Sequence, residues 1–156
     1  TRLMTDPVFP VPIDIFNAKL AFHDFPAGER IELGDNIVVQ SLLISCGLAG
    51  TAYRVEHGGK SLCHACAVRL PADPAALHTL VAGCDTLIMS LIEDDVPDAD
   101  RVLAEFARKA GVGRLIVTDH APDADDLSLE RREKEMAAIF APTVLAREGQ
   151  RLMLGS

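Results

Sequence analysis

With 156 residues, 49% of them hydrophobic and 24% charged, the chain has the length and composition of a single globular domain over residues 1–156. Its formal net charge of −8 argues against a nucleic-acid groove and against attraction to an anionic membrane surface, both of which need a field of Lys and Arg. No apolar run reaches the ~20 residues of a membrane span and no signal-peptide pattern opens the sequence, so a cytoplasmic protein is expected. With six Phe, one Tyr and no Trp, its core has to be aliphatic.

Residues 1–17 carry Pro7, Pro10 and Pro12 and read as an irregular lead-in or a short helix. Lys19 to Phe25 alternates loosely, as a strand does. Pro26-Ala27-Gly28-Glu29 and Gly34-Asp35-Asn36 are turns. Asn36 to Ser45, rich in Ile, Val and Leu, is a buried strand by length and β-branching. Thr51–His57 and Lys60–Ala65 form a hairpin, with Gly58-Gly59 supplying a positive-φ turn. Pro71 to Gly83 is a helix, with Asp73 as its N-cap and Pro74 at the first helical position, where a missing N–H costs nothing. Asp85 to Leu91 is a strand. Asp98 or Asp100 opens a second helix ending at Gly111, with Val102, Leu103, Phe106, Ala107 and Ala110 as its apolar stripe. Leu115 to Thr118 is a short buried strand. Asp125 or Asp126 opens a third helix through Phe140, with Glu130 and Lys134 at i,i+4 on its wet face. Val144-Leu145 and Leu152-Met153-Leu154 close the chain as short strands. Strands alternating with helices after residue 60 predict an α/β layer.

Several segments follow one another in a specific order: Ala52-Tyr53-Arg54-Val55-Glu56, His57-Gly58-Gly59-Lys60-Ser61, Gly83-Cys84-Asp85-Thr86-Leu87-Ile88, Gly111-Val112-Gly113-Arg114-Leu115, Thr118-Asp119-His120-Ala121-Pro122 and Ala146-Arg147-Glu148-Gly149. From Gly50 to Leu154 this resembles the C-terminal half of a metallo-β-lactamase-fold metallohydrolase, and Phe9-Pro10-Val11-Pro12 fits the middle of such proteins. The resemblance implies a truncated sandwich, α/β, with a mixed sheet and helices packed on one face. It also implies a two-metal site that makes hydroxide from a bridging water, and here the metal-binding positions are degenerate. No His-x-His-x-Asp-His cluster occurs, and the region that would hold it is expected before Thr1. Where relatives carry a His before the Tyr-Arg strand, this chain has Cys46. A metal-bridging Asp falls near Ala67, next to Cys66. Asp119, followed by His120, stands in another ligand place.

Cys46, Cys66, Asp119 and His120 therefore converge in a relic pocket if the fold holds. It is either sealed and polar or able to take a single soft metal. Cys63-His64-Ala65-Cys66 has the spacing of a zinc knuckle or redox pair, but no second ligand pair accompanies it, and in a strand the two thiols point to opposite faces. Buried free thiols are the simpler reading of the four cysteines. The acidic runs at Glu93–Asp95 and Asp123–Asp126 read as helix-capping, solvated loops. The expected protein is a non-catalytic structural, assembly or regulatory module of bacterial type, with no cofactor and no metal. Its apolar sheet face would be covered by a second copy or by a partner protein. A metal- or ligand-binding sensor, or a fragment of an active hydrolase, are the alternatives.

Overall fold

The computed structural model describes residues 17, 19, 21, 23–46, 48–68, 74–91 and 98–154. Its elements run β1 (Arg30–Leu33), β2 (Ile37–Cys46), β3 (Leu48–His57), β4 (Lys60–Val68), α1 (Pro74–Val81), β5 (Thr86–Leu91), α2 (Ala99–Ala110), β6 (Leu115–Val117), α3 (Asp126–Ile139) and β7 (Thr143–Leu145). The seven strands form one sheet in chain order. β1 to β4 pair antiparallel, through tight connections such as Gly58-Gly59, both at positive φ. β4 to β7 pair parallel, and each step crosses over through a helix. Right-handed crossovers between successive neighbours put every helix on the same side of a sheet. α1, α2 and α3 accordingly pack together on one face.

The helix-covered face holds the core. Cys63, Ala65, Leu87, Met89, Leu115, Val117 and Leu145 point into it from four parallel strands and are buried. Leu77, Leu80 and Val81 of α1, Leu103, Phe106 and Ala107 of α2, and Leu129 and Met136 of α3 meet them. Burying each large aliphatic side chain contributes about 1.5–3 kcal/mol. The core is aliphatic, as the scarcity of aromatics requires. Arg54 lies on the same side and closes the end of α1, donating from Nη1 to Leu80 O and Ala82 O at 3.0 Å each.

The opposite face carries apolar residues on every strand in two offset cross-strand rows: Ile31, Val39, Val55 and Leu62 in one, and Ile88, Ile116 and Val144, which continue from His64 of β4, in the other. Ile116 is buried and the other apolar residues are half-buried. Alternation puts the charged residues of β1 to β3 on the helix side, where Glu56 pairs with Arg54 at 2.8 Å and Arg30 at 3.8 Å. Among the described strand positions of the opposite face there is no Asp or Glu, and Lys60 is its one permanent cation.

Several expectations change. The described residues of Lys19–Phe25 lie in no strand, while Arg30–Leu33, sandwiched between two turns, forms the edge strand β1. Residues 152–154 are not a strand either: Leu152, Met153 and Leu154 are exposed, and Arg114 holds Met153 O at 3.3 Å. Asp73 and the start of the first expected helix fall outside the described residues, and α1 begins at Pro74. Asp98 precedes α2 in the left-handed region and makes no side-chain cap. Asp125 does cap α3, accepting from Ser128 N at 2.8 Å. Among the described residues Glu130 and Lys134 form no ion pair. The strong pair of α3 is instead the tertiary one from Arg132 to Asp100, two bonds of 2.7 Å.

Candidate functional site

The C-terminal ends of parallel strands are where an α/β sheet leaves backbone groups and loops free to build a site. Here those ends carry Cys66 and Ala67 on β4, Ser90 on β5, and Thr118 and Asp119 just after β6. Ser90 is 2% exposed. Its hydroxyl accepts from Ala67 N at 2.7 Å and donates to Asp119 Oδ2 at 2.5 Å. Both flanking residues adopt the left-handed conformation, Ala67 at φ 53° and Asp119 at φ 56°. That region is uncommon for any non-glycine residue and costs an alanine ~1 kcal/mol or more. The strand ends thus turn sharply on either side of Ser90. β4 is also irregular there, with a register shift between Ala65 and Val68.

Cys66 joins the same edge. Its Sγ lies 3.3 Å from Thr118 Oγ1. Cys66 and Asp119 thus lie along one edge, Cys66 against Thr118 and Asp119 against Ser90. His120 turns toward β7 instead, with Nε2 3.1 Å from Ala146 O. A carbonyl can only accept, so Nε2 carries the proton. The backbone of Cys46 ends β2, paired with Leu48, and its side chain lies outside the described residues.

A catalytic metal site needs three or more converging imidazole, thiolate or carboxylate groups. Among the described residues no such group of His, Cys, Asp and Glu forms. The Asp119 carboxylate is engaged by Ser90, Ala67 offers no ligand atom, and His120 is turned to Ala146. This donor set does not fit the two metals that the fold implies. Cys66, Ser90, Thr118 and Asp119 form instead a hydrogen-bonded plug at the ends of β4, β5 and β6. Ser90 and Thr118, which build it, escaped sequence reasoning. Their one signal is a hydroxyl at the C-terminal end of each of two mainly apolar segments, Thr86–Leu91 and Leu115–Thr118.

The Cys63-x-x-Cys66 pair does not form a site. Cys63 faces the helices and Cys66 faces away, as alternation along a strand requires. Cys63 Sγ lies 3.7 Å from Leu80 O.

The mixed sheet in chain order, with its helices on one face, matches about half of a metallo-β-lactamase fold. The chain is similar to the metallo-β-lactamase fold protein YhfI from Bacillus subtilis, with a TM-score of 0.61 and 19% identity over 81% of this chain and 53% of that one. Human tRNase Z, short form, aligns with a TM-score of 0.49 and 16% identity over 77% of this chain and 43% of that one. The chain spans about half the length of these structures. No protein-family model matches it, and no curated protein does. None of the helices is long and apolar enough to cross a membrane among the described residues.

Proposed function

We propose that this chain is a non-catalytic metallo-β-lactamase-like module, a pseudoenzyme of bacterial, cytoplasmic type, whose role is structural or regulatory assembly with a second copy of itself. The observation that carries this reading is the plug at Cys66, Ser90, Thr118 and Asp119, where hydrogen bonds within the protein occupy the groups a metal would need. The sheet face opposite the helices supports the assembly part. It presents apolar residues on each of seven strands and no described carboxylate, in a chain of net charge −8. Two such acidic molecules repel everywhere except through a face of this kind, and apolar burial at ~25 cal/mol per Å² rewards its coverage. Two-fold homodimers are the commonest oligomers, and sheets stack face to face about 10 Å apart. The same acidic surface disfavours nucleic acid as a partner.

Light scattering on the purified chain tests the assembly. A dimer mass is expected, reverting to monomer in Leu43→Glu, which puts a carboxylate on the same face at a 60%-exposed position and so spares the core. A wild-type monomer at high micromolar concentration, with no dye-binding apolar surface, overturns it. Elemental analysis tests the pseudoenzyme part: no stoichiometric zinc or manganese is expected, and two ions per chain would refute it. One zinc, lost in Asp119→Ala, would favour a sensor that uses the relic pocket.

A further inference from the structure

The helix layer carries a cleft that the core does not fill. It lies between α1 and α2 and has a volume of about 700 Å³, with Pro74, Ala75 and His78 on one side and Val102, Phe106 and Lys109 on the other. That volume falls within the roughly 300–1,000 Å³ of small-molecule sites. The sequence of α1 makes the cleft. Leu77, Leu80 and Val81 turn into the core, and the short side chains of Ala75 and Thr79 are left facing α2. The Thr79 hydroxyl donates to Ala75 O at 2.9 Å, so its proton is used within the helix. On α2, Val102, Phe106 and Lys109 recur at i, i+4 and i+7 and lie along a line about 10 Å long. Phe106 is buried, its ring edge-on to that of His78. Two charged groups border this apolar wall. Glu105 is already engaged, its Oε1 accepting from Arg101 Nε at 3.0 Å. Lys109 forms no hydrogen bond or ion pair among the described residues. The cleft therefore has an apolar wall and one unpaired cation at its end.

We infer that this cleft binds a small amphipathic carboxylate, with its apolar body against Val102 and Phe106 and its carboxylate on the Lys109 ammonium. The wall selects the body, because moving apolar surface out of water onto it is favourable. Lys109 selects the head. A carboxylate there gains a charge-assisted bond, a hydroxyl gains a weaker one, and an ammonium is repelled. Glu105 does not oppose the carboxylate, since Arg101 neutralises it. The dimensions favour a small molecule over a protein. α1 has eight residues and is about 12 Å long, whereas a stable protein interface engages roughly 20–30 residues a side. An extended medium-chain fatty acid spans the line from Val102 to Lys109. None of Cys66, Ser90, Thr118 and Asp119 lines the cleft, and no strand residue does. Binding here is thus separate both from the plug and from the sheet face.

The test is titration of the isotope-labelled full chain with octanoate, octanol and octylammonium, followed through its amide NMR shifts. Octanoate should saturate a single site, with the shifts centred on residues 74–79 and 102–109. Octanol should bind about tenfold more weakly, the worth of a charge-assisted bond, and octylammonium more weakly still. Lys109→Met should weaken octanoate by about the same factor and leave octanol unchanged. Ala75→Trp, at an exposed position of α1, should fill the cleft and abolish binding of both. Octanol binding as tightly as octanoate, an octanoate affinity unmoved by Lys109→Met, shifts centred on the sheet face or the strand ends, or no saturable site at millimolar concentration overturns the inference. The three ligands compared on the wild-type chain decide by themselves if a variant does not fold.

Discussion

Asp85 ties two strand beginnings together through four atoms. Its Oδ2 accepts from Ser61 N at 2.8 Å and Ser61 Oγ at 2.9 Å, and its own N–H donates back to Ser61 Oγ at 3.0 Å. The backbone N–H of Ser61, then its hydroxyl, hold the carboxyl below its ordinary value of 3.8, with Lys60 adding a smaller pull. A carboxyl whose folded pKa is depressed binds fewer protons in the native state than in the unfolded one. Its stabilisation is therefore present above the unfolded value and lost as pH falls through the folded value. Urea melts from about pH 6 down to about pH 2 should show a decline below the ordinary carboxylate range, and Asp85→Asn should make that decline shallower. An unchanged acid limb would mean that Asp85 bonds Ser61 equally in the unfolded chain. Phe106 gives a contrast in packing: it is 9% exposed, with its ring edge-on to His78 at 6.0 Å between centroids. Phe106→Ala should cost about 3–5 kcal/mol in the same melts. Glu130→Ala, on the wet side of α3, should cost no more than about 0.5 kcal/mol. At this scale the sequence was only partly legible. Cys66 and Asp119 stood out because they replace or adjoin expected ligands. Ser90 did not, because a serine in a buried strand becomes informative only once its neighbours across the sheet are known.

The helices were the readable elements. The stripe through Leu103, Phe106, Ala107 and Ala110 is buried as its spacing requires, and α2 ends at Gly111 in the left-handed conformation at φ 66°. β1 was missed because four residues between turns carry too little periodicity, and its pairing with β2 is what makes it a strand. The junctions between elements were equally invisible. Gly113 lies on the α2–β6 connection and passes so close to the start of β5 that a Cβ there would meet Asp85 O at 2.7 Å. The obstacle is backbone, so it cannot swing aside. Gly113→Ala should destabilise the chain by about 1–3 kcal/mol, as overpacking does, with the midpoint of thermal unfolding as the measure. Gly34→Ala, where a Cβ meets nothing within 4 Å and φ is not positive, is the matched control and should be near neutral.

For the whole molecule, alternation of strands and helices after residue 60 predicted an α/β layer and no more, and the placing of the helices on one face came from the family resemblance. What covers the other side could not be read from the chain, since burial there depends on what meets the sheet. One topological feature reaches into how the molecule is made. Every strand is hydrogen-bonded to its immediate predecessor in sequence. No strand has to wait for a distant segment to be synthesised before finding its neighbour. The sheet can grow from β1 outward as the polypeptide leaves the ribosome, each hairpin or crossover docking on a finished edge. Local pairing of this kind shortens the search for long-range contacts and limits the time an unpaired edge spends exposed. The growing end is also the vulnerable one: until β7 arrives, β6 is an open parallel edge of three fully buried-type residues, Leu115-Ile116-Val117. Pairing with Thr143–Leu145 of β7 is what covers that edge.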